Sequence, residues 1–268
     1  MRASERVLLL FDIDGTLLLG AADAHRAAIH EALRTVHGVT RPERRGMEVA
    51  GRTDADIMRS LLVNAGVPTQ RIDARADEMR IAACEAYARR VPDDLSQRVV
   101  PGMRELLAEL AGRDGTVLGL VTGNFEPIAR MKLRAAGIGR LFAGGVGGFG
   151  SDHEDRAELP AIARRRAGDC AGDGTPYPRE RTIVIGDTPR DIACARADGL
   201  CVVAVATGPF TVEELTAADA VAHDARELGG LLDRWTVAGS GAMTSGLGDG
   251  GAGSHRGGPA TPRSRRTS

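Results

Sequence analysis

The sequence predicts an α/β fold: a Rossmann-like parallel sheet core interrupted by an all-helical insert. Three observations carry this. Val7 to Phe11 is a run of five apolar residues followed by Asp12, Asp14 and Gly15, which is how a strand buried on both faces reads. Similar runs recur at 116–121, 182–185 and 200–205, alternating with stretches of helical periodicity, the order that builds a doubly wound sheet. Between the first and second runs lie about eighty residues with helical stripes and no strand pattern, so a small helical bundle is expected there.

In the insert, Ile29, Ala32, Leu33 and Val36 fall at helical spacing and stop at His37-Gly38. Ile57, Met58, Leu61, Leu62 and Ala65 repeat the pattern up to Gly66, with Thr53 or Asp54 as the N-cap. Ala76, Met79, Ala83, Ala86 and Tyr87 form a third stripe that ends near Pro92. A helix is then expected over 99–111, with Pro101 at its start and Met103, Leu106, Leu107 and Leu110 on one face. The strand at 116–121 ends in Thr122-Gly123-Asn124, and Ile128, Met131 and Leu133 open the following helix. The glycine-rich stretch 142–149 is expected to hold a short third strand. A helix near Pro160 ends in Arg164-Arg165-Arg166, read as a solvated last turn favoured by the helix dipole. The strand at 182–185 runs into Gly186-Asp187, a helix extends to Gly199, a strand follows at 200–205, and Val221 marks a sixth. From 237 to 268 the chain turns to Gly, Ser, Thr and Arg without apolar periodicity, which reads as a disordered tail.

Bulk properties exclude several functions. The 268 residues can bury one large core or two smaller ones. With 35 basic and 36 acidic residues interspersed, no global field points to nucleic acid or an anionic membrane. Aromatic residues make up only 3%, too few for a base-stacking surface. No apolar run reaches transmembrane length. The first apolar stretch leads straight into Asp12, so it is a core strand and not a signal peptide. Cys84, Cys170, Cys194 and Cys201 lack CxxC spacing, and the six histidines form no metal set. Reduced thiols and a cytoplasmic location are expected.

Asp12, Thr122 and Asp187 each end a strand and precede a glycine-containing turn. In a parallel sheet such ends lie on one edge, where open α/β folds bind their ligands. Asp12 and Asp187 can offer carboxylates to Mg²⁺, which prefers hard oxygen ligands. Gly15 allows a sharp turn, and Thr16 brings a hydroxyl and an N–H to the same pocket. In the insert, Arg52 is a candidate specificity residue because guanidinium groups suit carboxylate or phosphate; a solvated arginine is the alternative. Arg41, Arg44 and Arg45 form a basic loop with the same two readings.

Taken together, Asp12-x-Asp14-Gly15-Thr16, Thr122-Gly123-Asn124 and Gly186-Asp187-x-x-x-Asp191 resemble the motifs of the haloacid dehalogenase superfamily. The resemblance spans roughly residues 5–235. The placement of the insert, with GRTD at 51–54, PGM at 101–103, VTGN at 121–124 and IGDTPRD at 185–191, brings it nearest the phosphoglycolate phosphatase-like branch. It implies a catalytic core over 1–18 and 98–236, an α-helical cap over 19–97 and a tail over 237–268. It further implies a Mg²⁺-dependent phosphatase that hydrolyses a small, phosphoglycolate-like phosphomonoester through an aspartyl-phosphate. By this resemblance Asp12 is the nucleophile, and Asp14 protonates the leaving oxygen and then activates water. The backbone carbonyl of Asp14 joins Asp12 and Asp187 on the metal, and Asp191 orients the metal's waters. Thr122, with the N–H groups of Gly123 and Asn124, binds the phosphate. The superfamily's dehalogenases lack the second acid, so Asp14 points to phosphate chemistry.

One element departs from the pattern. The third motif of the superfamily usually offers a lysine, but the chain's only lysine, Lys132, lies in the helix after the second strand. Arg156 stands at about the right interval and is the expected substitute for phosphate binding, with a surface arginine as the alternative. A phosphosugar mutase using the same aspartyl-phosphate and a non-catalytic binding protein on this fold are the rival functions. The expected partner is a small phosphorylated metabolite, with no nucleic acid or membrane, for a monomer or homodimer.

Overall fold

The computed structural model describes residues 6–44, 46–172 and 174–237. The tail expected at 237–268 lies, from residue 238 onward, outside the described residues, as does Arg45 of the basic loop.

Six parallel strands form one sheet: β1 (Val7–Phe11), β2 (Thr116–Thr122), β3 (Gly147–Phe149), β4 (Thr182–Gly186), β5 (Cys201–Val205) and β6 (Ala220–Ala222), in the order β3-β2-β1-β4-β5-β6. Winding thus proceeds outward in both directions from β1 and β4, and the crevice where it reverses lies at their C-terminal ends. Register fixes which residues meet there: Phe11 pairs with Leu120 on one side and Ile185 on the other.

Every residue of β1 is buried, as expected for a strand covered on both faces. Its side chains alternate. Leu9 and Phe11 face a core shared with α5 (Met103–Gly112), α6 (Glu126–Ala135) and α9 (Ala225–Val237). Leu8 and Leu10 face a second core shared with α7 (Leu159–Ala171) and α8 (Pro189–Ala197). Each such fully buried leucine or phenylalanine contributes about 1.5–3 kcal/mol of burial.

Residues between β1 and β2 include α1 (Asp23–His37), α2 (Asp54–Asn64), α3 (Thr69–Ala74) and α4 (Ala76–Ala88). Their stripes form a third apolar cluster, to which Phe125 and Ile128 of the sheet-bearing part contribute. The sequence predicts three of these helices. The short α3 is missed because Ile72 is its only buried side chain, which leaves no stripe to read.

The helix expected from 99 begins only at Met103, after Gly102 with φ 76°. Residues 98–100 instead run antiparallel to the segment after β1: Leu19 N donates to Arg98 O at 2.7 Å and Val100 N to Leu17 O at 3.0 Å. The chain's exit into the helices and its return are therefore laced together.

The arginine run also differs from expectation. Arg164 is buried, with Nε 2.7 Å from Asp198 Oδ2 and Nη1 2.5 Å from the Tyr177 carbonyl. Arg166 pairs with Asp152 at 2.7 Å and lies over the Phe149 ring. The run lies in the middle of α7, which continues to Ala171, so no last-turn dipole effect applies, and helical phase points 164 inward. Among the described residues no helix is long and apolar enough to cross a membrane.

Arg164→Ala strands a buried carboxylate that keeps only the more exposed Arg179 as partner. A loss of about 3 kcal/mol is expected in urea unfolding, and a loss under about 1 kcal/mol would mean that Arg179 suffices.

Candidate active site

The ends of β1 and β4 bring three acids together. Asp12, Asp187 and Asp191 are buried and offer carboxylate oxygens within 4.8 Å of one another. Asp12 follows β1 directly, and its N–H donates to the Ile185 carbonyl of β4 at 2.9 Å. Asp187 follows β4, and its Oδ1 accepts from the Thr16 hydroxyl at 2.8 Å. A Cβ on Gly15, which has φ 96°, would stand 2.1 Å from Asp187 Oδ2, and one on Gly208 would stand 1.8 Å from it. The carboxylate fits only because both positions are glycine.

Asp191 holds the first turn of α8. Its Oδ2 accepts from the Thr188 N–H at 2.9 Å and hydroxyl at 2.7 Å, completing a capping box. Its Oδ1 takes Arg156 Nη2 at 2.5 Å. The same guanidinium nitrogen lies 3.0 Å from Asp12 Oδ1. Arg156 is thus 7% exposed at the centre of the site, where a surface arginine was the alternative.

These contacts set the charges. Burial pushes the Asp12 carboxyl up to about 6, helped by Asp191 and Asp14 and opposed by Arg156. Burial, then Asp191 and Asp12, push Asp187 up to about 8, with Thr16 and Arg156 offsetting only part. Burial alone would lower the guanidinium of Arg156, yet Asp191 and Asp12 hold it well above its ordinary value. One oxygen of this cluster, Asp187 Oδ2, is buried with no hydrogen-bond partner. An all-oxygen, anionic donor set with an orphaned acceptor fits a hard dication such as Mg²⁺.

Asp14 stands beside this cluster and is 34% exposed at its side chain. Its Oδ2 accepts from Asn124 Nδ2 at 2.8 Å and from Lys132 Nζ at 2.6 Å, and its Oδ1 lies 2.8 Å from the same ammonium. Burial works to raise its pKa, but the Lys132 ammonium outweighs it and holds the carboxyl below its usual range. Asn124 also donates to the Thr122 hydroxyl at 3.0 Å, so the turn after β2 is braced from within.

A cavity of about 430 Å³ opens over these groups, lined by Asp12, Asp14, Asn124, Arg156 and Asp187 below and by the insert above. The insert contributes an apolar wall of Ile29, Val49, Ile57 and Leu61, with His25, His30 and Arg44 among them. Its docking is close. A Cβ on Gly123 would lie 2.1 Å from the Arg52 carbonyl, and Asp54 N donates to Gly123 O at 2.8 Å. Thr53 caps α2 and donates its hydroxyl to Glu154 O at 2.6 Å.

Of the residues singled out from the sequence, Asp12, Asp14, Gly123, Asn124, Arg156 and Asp187 line this one cavity, with Thr122 and Asp191 bonded directly behind them. Arg52 also borders the cavity, but its guanidinium is engaged by Asp56 at 2.5 and 2.6 Å and Ser60 at 2.9 Å. Sequence reasoning missed Lys132. The available signal was a lone lysine four residues after Ile128, on the buried stripe of α6.

The model of the haloacid dehalogenase-like hydrolase family matches residues 9–196. A phosphoglycolate phosphatase from Rhodospirillum rubrum is 29% identical over 216 residues, 75% of this chain and 79% of its own length. One from Mesorhizobium japonicum is 28% identical over 209 residues, 76% and 84% of the two chains. A solved β-phosphoglucomutase from Clostridium difficile superposes with a TM-score of 0.61 at 16% identity, covering 87% of this chain and 98% of that one, which reflects a shared fold. With its carboxylates gathered at the sheet's switch point and its motifs matched over most of the described residues, the chain belongs to the haloacid dehalogenase-like hydrolase family, and in sequence it resembles that family's phosphoglycolate phosphatases.

Proposed function

We propose that the protein is a Mg²⁺-dependent phosphatase of a small phosphomonoester, of which 2-phosphoglycolate is the first candidate. The observation that carries this reading is the group of Asp12, Asp187 and Arg156 at the floor of a cavity walled by the insert. Phosphoryl transfer needs a placed nucleophile, positive charge around the phosphate oxygens and proton management, and the cavity floor offers each.

In this reading Asp12 attacks phosphorus, and its carboxylate oxygen replaces the ester oxygen to give an aspartyl-phosphate. Mg²⁺, held by Asp12, Asp187 and the Asp14 carbonyl, would supply charge to the phosphate oxygens. Arg156 adds a fixed cation between Asp12 and Asp191, one guanidinium nitrogen reaching both acids where the superfamily usually offers a lysine. Thr122 and the N–H groups of Gly123 and Asn124 hold the phosphate oxygens. Asp14 gives a proton to the departing alkoxide and takes one from the water that opens the intermediate. An arriving phosphate brings like charge beside Asp14 and raises its proton affinity, which offsets the pull of Lys132. The insert acts as a cap over 19–97 that excludes bulk water and selects the organic part of the substrate through its cavity wall.

Phosphate release from a metabolite panel that includes 2-phosphoglycolate is expected with Mg²⁺ and not with EDTA. Asp12→Asn is expected to reduce kcat by at least about 10³-fold. Metal-dependent turnover that survives Asp12→Asn would sink the nucleophile assignment. Turnover only in the presence of a phosphosugar activator would favour a mutase.

The raised carboxyls give a pH-dependent signature. Both titrate above their ordinary value of 3.8, Asp12 at about 6 and Asp187 at about 8. In the metal-free protein the stability they contribute is full below the unfolded value and is lost as pH rises through 6 and then 8. A dication favours the ionised forms. The gain in Tm on replacing EDTA with Mg²⁺ is therefore expected to grow from about pH 5 to about pH 8. Asp187→Asn should flatten that growth, and a gain independent of pH in the wild type would count against Asp187 as a ligand.

A further inference from the structure

Lys132 is the only lysine among 35 basic residues, and it is completely buried. It lies on the stripe of α6 that Phe125 and Ile128 turn toward the insert's apolar cluster. Its ammonium donates to both oxygens of Asp14, at 2.8 and 2.6 Å, and stands 3.2 Å from His25 Nδ1 of α1. On the other side of that ring, His25 Nε2 is 3.0 Å from Asp54 Oδ2 at the start of α2. The same Asp54 oxygen accepts from the Phe125 N–H at 2.8 Å.

The roles along this chain are forced. Asp54 offers only acceptors, so His25 Nε2 carries the hydrogen and Nδ1 is left as a lone pair facing the ammonium. His25 is held in that orientation by edge-on contact with Tyr87 of α4, the ring centroids 5.7 Å apart. Groups from α1, α2 and α4 therefore complete the surroundings of a lysine whose other partner is Asp14. An apolar residue at 132 would fill the same cluster without the cost of burying a charge. Arginine, used at every other basic position except the histidines, is a planar fork and not a compact cation on a flexible stem. Without Lys132, Asp14 would keep one side-chain partner, Asn124.

We propose that Lys132 is the positioning residue of Asp14, and that His25 and Asp54 make its hold on that carboxylate depend on the docked insert. This rests on reading Asp14 as the acid that protonates the leaving group. Lys132 orients the carboxylate, and undocking of α1 and α2 removes the histidine that fixes the ammonium.

The leaving group separates this role from a merely structural one. The alkoxide that leaves 2-phosphoglycolate needs a proton, whereas the p-nitrophenolate that leaves p-nitrophenyl phosphate needs little help. Asp14→Asn calibrates the effect, with a loss on the alkyl ester exceeding that on the aryl ester by on the order of 10²-fold. Lys132→Met is expected to reproduce this selectivity in kcat with little change in KM, and Lys132→Arg to recover part of it. Hydrogen exchange in the first turns of α1 and α2 is expected to rise in Lys132→Met and in His25→Leu. Equal fractional losses on both esters in a Lys132→Met with wild-type circular dichroism would overturn the proposal, as would unchanged exchange. Should Lys132→Met not fold, Lys132→Arg and His25→Leu carry the same comparison. If Asp14→Asn itself shows no selectivity, the acid role of Asp14 falls, and exchange alone then judges the link from Lys132 to the insert.

Discussion

Repulsion between carboxylates at the sheet's switch point is the constraint on which the rest of the site depends. Of three acids within 4.8 Å of one another, Asp12 and Asp191 pair with one buried cation, Arg156, and Asp187 does not. Two like charges about 4 Å apart repel by about 4 kcal/mol at the effective dielectric of a protein site. The fold keeps them there with rigid parts. Adjacent strands fix Asp12 and Asp187, two glycines make room for one carboxylate, and a capping box ties Asp191 to its helix. Burial first, with this repulsion added, raises the carboxyls of Asp12 and Asp187 and makes the pocket receptive to positive charge.

The insert is fastened to the sheet-bearing part in three different ways. Its entry and exit segments are hydrogen-bonded to each other near Leu18 and Val99. Its apolar cluster takes in Phe125 and Ile128. Its α2 start meets the turn after β2 through backbone contacts and the loop after β3 through the Thr53 hydroxyl. Each fastening lands within a few residues of a group proposed to act on phosphate, so the wall of the cavity and its floor are one construction.

The convergence of Asp12, Thr122 and Asp187 was legible because it depends only on strand ends in a parallel sheet, which periodicity reveals. Arg156 was legible as an interval but not as an orientation, since nothing in the sequence says that one nitrogen spans Asp12 and Asp191. Lys132 was hidden by habit: a lysine on a helix reads as solvated, and its buried phase shows only when Ile128, Ala129 and Leu133 are taken as one face. Arg52 borders the cavity, while its pairing with Asp56 four residues on was not read from the sequence. Arg164 repeats the lesson of Lys132, with helical phase deciding over local charge.

Gly123 and Gly150 give the seam between insert and core an unusual character. At Gly123 the backbone of residue 52 comes so close that an added methyl carbon would sit 2.1 Å from its carbonyl, and Gly150 approaches Gly123 O equally closely. Main chain rests on main chain there, so peptide units register the position of the insert together with the side-chain contacts around them. The apolar part of the cavity wall, Ile29, Val49, Ile57 and Leu61, can then change its chemistry without shifting the groups beneath it. A scaffold of this kind lets selection explore new ligands while the reacting floor stays in place.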